Sequence, residues 1–128
     1  MRAFFSMAVA AIVMAAAPAS AGEIRNFDRA AFQALQAKDA PTIVFVHASW
    51  CPICRAQETT ISKLLSTPVF RNVTVLTIDY DTQKPLWTSF GAQKQSTLIA
   101  FHGRRETARL AYDADPKKVT ALIASALR

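Results

Sequence analysis

The chain has 128 residues, 15 of them basic and 9 acidic, with a formal charge of +6 at neutral pH and a 52% hydrophobic content. That length holds one domain with one hydrophobic core. The basic residues are scattered, with Arg104-Arg105 and Lys117-Lys118 as the doublets, so the charge reads as a solvated surface and not as a nucleic-acid interface.

In chain order, "MRAFFSMAVAAIVMAAAPASA" (1–21) carries a charge at Arg2, an apolar run from Ala3 to Ala17 and the small-x-small triplet Ala19-Ser20-Ala21. This is the pattern of an export signal peptide cleaved after Ala21. The run is shorter than the roughly 20 residues of a spanning helix, and no stop-transfer charges follow it. The expected working protein is therefore residues 22–128: soluble, monomeric and periplasmic.

"EIRNF" (23–27) reads as an edge strand. Asp28 is an N-cap for "RAAFQALQAK", in which Ala31, Phe32 and Leu35 make one apolar face. "TIVFVHA" (42–48) is a near-continuous apolar, β-branched run, as in a parallel strand covered on both faces. "CPICRAQETTISKLLS" (51–66) follows as a helix, with Pro52 tolerated in its first turn and Ile53, Gln57, Ile61, Leu64 and Leu65 on its apolar side. "VTVLTIDYD" (73–81) is the next buried strand and "KPLWTSF" (84–90) a short helix, with Trp87 and Phe90 expected in the core. "TLIAFH" (97–102) and "ETARLAY" (106–112) form an antiparallel hairpin across "GRR", with His102 expected at the surface. Asp115-Pro116 caps and opens a last helix, "KKVTALIASAL". The order β-α-β-α-β-α-β-β-α predicts an α/β fold with a mixed sheet and helices on both faces.

The two cysteines, Cys51 and Cys54, stand two residues apart in "HASWCPICRAQE". Export puts them in an oxidising compartment, yet a bridge closing so short a loop adds little stability. The pair is a poor staple. A dithiol that turns over and a pair of metal ligands both stay open on spacing alone.

Two longer stretches carry a family resemblance. "VFVHASWCPIC" is a buried strand running into Trp-Cys-x-x-Cys at a helix start, and "STLIAFHGRRE" contains a turn and the last hairpin. With these, residues 23–128 resemble the thioredoxin superfamily, and the surroundings of Cys51 are similar to small exported thioredoxin-like proteins and to the C-terminal domain of membrane-embedded thiol:disulfide interchange proteins. Two positions depart from the pattern. Phe45 stands where the family usually has a buried aspartate, and Ser96 replaces its cis-proline. A cis bond before serine costs about 3 to 4 kcal/mol, so a trans peptide is expected there.

The resemblance implies that Cys51 attacks a disulfide and Cys54 resolves the mixed disulfide, with the Cys51–Cys54 disulfide as the redox group and no other cofactor. A helix start lowers the pKa of Cys51, because the unpaired N–H groups favour a thiolate. Cys54, one turn inside the helix, is expected to be the less exposed of the two. Arg55 either adds attraction for the Cys51 sulfur or is solvated. His47 and Glu58 are the two candidate bases in place of the missing acid, each with an ordinary structural reading beside it. Trp50 either forms an apolar rim for clients or packs in the core, and the backbone of Gln95 and Thr97, around Ser96, is expected to pair with an extended client.

Size bears on direction. A single compact domain leaves no room for the inserted helical domain of exported dithiol oxidases or the dimerisation domain of isomerases. The expectation is a reductase of oxidised client proteins, recharged by a membrane-embedded electron donor. A rival is copper or zinc binding by the Cys-x-x-Cys pair with His47, favoured by the loss of proline at Ser96. A third reading is an adaptor with a vestigial dithiol.

Overall fold

The computed structural model describes residues 10–14 and 21–128. Most of the expected signal peptide lies outside these residues; 10–14 are exposed and form no helix or strand. Among the described residues no helix is long and apolar enough to cross a membrane.

The elements run β1 (Glu23–Asn26), α1 (Arg29–Ala37), β2 (Pro41–His47), α2 (Pro52–Leu65), a 3₁₀ turn (Pro68–Phe70), β3 (Thr74–Asp79), α3 (Lys84–Ser89), β4 (Thr97–His102), β5 (Arg105–Ala111) and α4 (Pro116–Ser125). Apart from the 3₁₀ turn, the order matches the sequence reading. The sheet order is β1-β3-β2-β4-β5, parallel across β1, β3 and β2 and antiparallel across β2, β4 and β5. This is the thioredoxin fold the resemblance implied.

The apolar run of β2 explains its central place. Ile43 and Phe45 point to one face, where they meet Cys54, Ile61 and Leu65 of α2 and Val119, Leu122 and Ile123 of α4. Val44 and Val46 point to the other, against Phe32, Trp87 and Phe101. The alternation of a strand sends neighbours to opposite sides, so a strand covered by helices on both must be apolar throughout. Full burial of a side chain such as Phe45 contributes about 1.5–3 kcal/mol. Trp87 is core as expected, stacked on Tyr80 at 5.1 Å, and Phe90 packs edge-on against Phe32 at 5.4 Å.

β3 ends two residues earlier than the sequence pattern suggests. Its end is turned by local side-chain bonds: Asp79 accepts from the Thr82 hydroxyl at 2.6 Å, and Gln83 accepts from the Asp79 N–H at 2.8 Å. Such bonds compete with the ladder for the backbone. The hairpin loop is Gly103-Arg104, with Arg105 already paired to His102; Gly103 has φ +59, open to glycine at no steric cost. His102 is half-buried and no free surface residue. Its Nδ1 lies 2.9 Å from the Ala126 carbonyl, to which it must donate, and so ties the end of α4 to β4.

Gly22 lies in close backbone contact, its N–H donating to the Leu65 carbonyl at 3.1 Å. A Cβ there would sit 2.7 Å from the Phe70 carbonyl oxygen and 2.7 Å from a Leu65 methyl. Because backbone must move to admit it, Gly22→Ala is expected to cost about 1–3 kcal/mol in urea unfolding. An unchanged midpoint would contradict this close approach.

Candidate active site

β2 ends at His47, and the chain turns through Ala48, Ser49 and Trp50 to start α2. Cys51 is the N-cap residue, with extended backbone (φ −90, ψ 112), and Pro52 takes the first helical position, where its missing N–H leaves nothing unpaired. The Cys51 Sγ does what a capping oxygen does elsewhere: it accepts from the Cys54 N–H at 3.1 Å. One turn into the helix, the Cys54 side chain points back into the core, fully buried. Both cysteines are free thiols.

Facing them is Ser96, at the entry to β4. Its hydroxyl oxygen lies 3.0 Å from the Cys51 Sγ and 3.1 Å from the Cys54 Sγ. The peptide before it is trans, as expected, and its backbone is left-handed with φ +62. Its N–H, a donor that proline would lack, binds the Val46 carbonyl at 2.8 Å. Its carbonyl accepts from the Gln57 amide at 3.0 Å and from the Tyr112 N–H at 3.2 Å.

The surroundings split the two thiols. Burial pushes Cys51 up, but hydrogen bonds from the Cys54 thiol, the Ser96 hydroxyl and the N–H groups of Cys54 and Ile53 outweigh it and hold Cys51 below an ordinary thiol. Burial pushes Cys54 up as well, and there the neighbouring Cys51 adds to the rise. The outer sulfur is therefore the easier to ionise and the inner one is held as a thiol, the asymmetry a nucleophile and its resolving partner require.

A family model described as Thioredoxin matches residues 23–125. The chain belongs to the thioredoxin family. Among solved structures it is similar to Trxlp from Edwardsiella tarda, with 33% identity over 79% of this chain and 98% of that one and a TM-score of 0.75. The germline-specific thioredoxin Deadhead of Drosophila melanogaster has 25% identity over 79% and 94%, with a TM-score of 0.64. Malassezia sympodialis thioredoxin, at 20% identity over 84% and 95% with a TM-score of 0.69, shares the fold. No curated protein matches the chain. With Cys51 and Cys54 arranged as above, this member of the thioredoxin family is a thiol:disulfide oxidoreductase.

The other residues singled out in this thioredoxin-family sequence fall into place unevenly. Cys54 is the less exposed of the two cysteines, as expected, although Cys51 is buried too, with only 2% of it accessible. Arg55 is exposed, and the groups acting on the Cys51 sulfur do not include it. His47 and Glu58, read as alternative bases, meet each other instead, with Nε2 and Oε2 3.3 Å apart, close enough for an ion pair but out of line for a hydrogen bond. His47 packs edge-on against Phe45 at 5.3 Å and lines a polar hollow of about 450 Å³ with Asn26, Thr77 and Asp79. Neither His47 nor Glu58 is among the groups acting on the sulfurs.

Trp50 is 54% exposed, which excludes the core reading, and its indole N–H donates to Asp81 at 2.9 Å. Thr97 pairs with Val46 on one side and Ala111 on the other, so its backbone is inside the sheet and not open to a client. Gln95 donates its side-chain amide to the Tyr112 hydroxyl at 2.8 Å. Among the described residues no three His, Cys, Asp or Glu side chains converge as metal ligands, which leaves the metal reading without a third ligand of those types.

Sequence reasoning missed Asp81, Tyr112 and the part played by Gln57. Gln57 carried a signal: a polar residue on the apolar side of α2, fully buried, whose amide N–H groups reach the carbonyls of both Ser96 and Asp113 at 3.0 Å.

Proposed function

We propose that this protein is an exported, periplasmic reductase of disulfides in oxidised client proteins, recharged by a membrane-embedded electron donor and working as a monomer with the Cys51–Cys54 pair as its one redox group. The Cys51 thiolate attacks a client disulfide and one client sulfur leaves. Cys54 then attacks the Cys51 Sγ, the internal disulfide forms, and the second client sulfur departs. The donor returns two electrons and two protons. Trp50, exposed and held by Asp81, gives clients an apolar rim beside the pair.

The observation that carries the direction is the kind of support Cys51 receives. Stabilising a thiolate stabilises the reduced form and makes a dithiol more oxidising. Here the donors are a thiol, a hydroxyl and backbone amides, with no cation among them. The elements of the domain also follow one another with no inserted helical subdomain. Export is supported by the leader pattern of a charge at Arg2, an apolar run and the triplet Ala19-Ser20-Ala21.

Reduced protein should catalyse insulin disulfide reduction, and its potential, read by equilibration with glutathione buffers, should lie nearer the roughly −270 mV of a thioredoxin than the roughly −120 mV of a strong dithiol oxidant. Turnover no faster than with dithiothreitol alone ends the reductase reading. A potential at the oxidising end reverses the direction.

A further inference from the structure

Cys54 must lose a proton before it can attack, since the thiolate is the nucleophile. Among the described residues no carboxylate acts on the Cys54 sulfur. Phe45 stands in place of the family's usual aspartate, and His47 and Glu58 face each other. The groups acting on the Cys54 sulfur are Cys51, the Ser96 hydroxyl and the backbone at Ala48.

Ser96 lies between the two sulfurs, 3.0 Å from one and 3.1 Å from the other. A hydroxyl has one proton to give and two lone pairs to accept with, so it can take a hydrogen bond from one sulfur while donating to the other. It is also held there against a local preference. Ser96 and its hydrogen-bonded neighbour Tyr112 both have positive φ, +62 and +59, in the region that non-glycine residues adopt at a cost. The buried amide of Gln57, the Tyr112 N–H and the Val46 carbonyl all engage the Ser96 backbone. Strain that persists because its surroundings over-determine it is a mark of a working position.

We propose that Ser96 is a catalytic residue of the exchange reaction, its hydroxyl carrying the Cys54 proton to the sulfur that leaves Cys51. In the resting dithiol the hydroxyl donates to the Cys51 thiolate, and its lone pairs lie within reach of the Cys54 sulfur, 3.1 Å away. Once Cys51 is joined to a client, Cys54 gives its proton to the Ser96 oxygen as its sulfur bonds to the Cys51 Sγ. The bond between Cys51 and the client sulfur breaks, its electron pair stays on the client sulfur, and that sulfur takes the proton Ser96 held before. The hydroxyl ends as it began. By microscopic reversibility, an attacking thiol that opens the Cys51–Cys54 disulfide delivers its proton to the departing Cys54 through the same oxygen.

The role rests on disulfide exchange by this pair and is indifferent to its direction. It is tested by rapid-mixing reduction of the oxidised full chain with dithiothreitol, quenched and scored by counting thiols, from neutral to alkaline pH. Ser96→Ala removes the hydroxyl; Ser96→Gly removes it and adopts positive φ without strain, so one variant folds even where the other is impaired. Both should react about tenfold or more slowly near neutrality, with the gap closing at alkaline pH, where Cys54 leaves as a thiolate and needs no proton. Unchanged rates, or a slowing of equal size at every pH, would overturn the relay while leaving the exchange reading intact. A wild-type disulfide that dithiothreitol does not open ends both.

Discussion

Replacing Cys51 with serine is expected to abolish disulfide exchange entirely, whereas replacing Cys54 with serine should leave the first step intact and stall the second. The two thiols differ in surroundings and so in role. Cys51 is held below an ordinary thiol despite its burial, by hydrogen bonds from Cys54, Ser96 and the first-turn amides. Cys54 is pushed above it by burial and by Cys51 itself. Cys54→Ser protein incubated with an oxidised client should accumulate a stoichiometric mixed disulfide through Cys51, visible as an intact-mass shift that dithiothreitol reverses. Cys51→Ser should form none. The sign of the acid dependence follows from the same shifts. A lowered pKa keeps Cys51 ionised on the acid side of a free thiol's midpoint of about 8.5, so alkylation of Cys51 should persist at acidities where a free thiol has stopped reacting. The raised Cys54 should react on the alkaline side. If both sulfurs followed the free-thiol curve, or Cys54 reacted first, the assigned roles would fall.

Gln57→Glu is expected to cost more stability than any isosteric change elsewhere in α2, about 3–5 kcal/mol at neutral pH, as when a charge is left buried without a partner. The wild-type amide nitrogen donates to two carbonyls, those of Ser96 and Asp113, from a fully buried position. A glutamate keeps the shape, removes both donors and sets a carboxylate against two carbonyl oxygens. Burial would raise the carboxyl's folded pKa above its unfolded value of about 4.3. The unfolded chain then gives up its proton first, so the loss grows as pH rises through that value and shrinks at acid pH, where both states are protonated, to the cost of one missing donor. Urea unfolding of wild type and variant at several pH values reads this directly. Gln57→Leu should be milder, about 1–3 kcal/mol, because the Ser96 carbonyl keeps the Tyr112 N–H and the Asp113 carbonyl loses its amide partner. It also removes an amide oxygen that is buried without a partner. A pH-independent loss in Gln57→Glu would mean that the amide does not lie against those carbonyls.

Most of the fold was legible because its signals are local. The unbroken apolar run of β2 requires helices on both faces, Asp28 caps α1 with a 2.9 Å bond to the Ala31 N–H, and Asp115 caps α4 at 3.0 Å to the Lys117 N–H. Strand ends were less legible: Asp79, Thr82 and Gln83 bond among themselves, and nothing in the apolar pattern records that. The site divides along the same line. Cys51 and Cys54 at a helix start, with Pro52 to open it, follow from adjacent residues. His47 and Glu58 were separately visible as candidate bases, but their pairing depends on how α2 lies over β2, which no local spacing states.

The order of residues by itself determined the alternation of strands and helices, the central place of β2 and the capping geometry that exposes the Cys51 sulfur to amide hydrogens, because each depends on neighbours within a turn or a strand. Tertiary structure alone decided that Ser96, 45 residues beyond Cys51, sets its hydroxyl between both sulfurs and that a glutamine inside the helix holds it there. Those contacts join elements that meet only when the sheet closes against α2, so their chemistry comes from packing and not from any single stretch of chain.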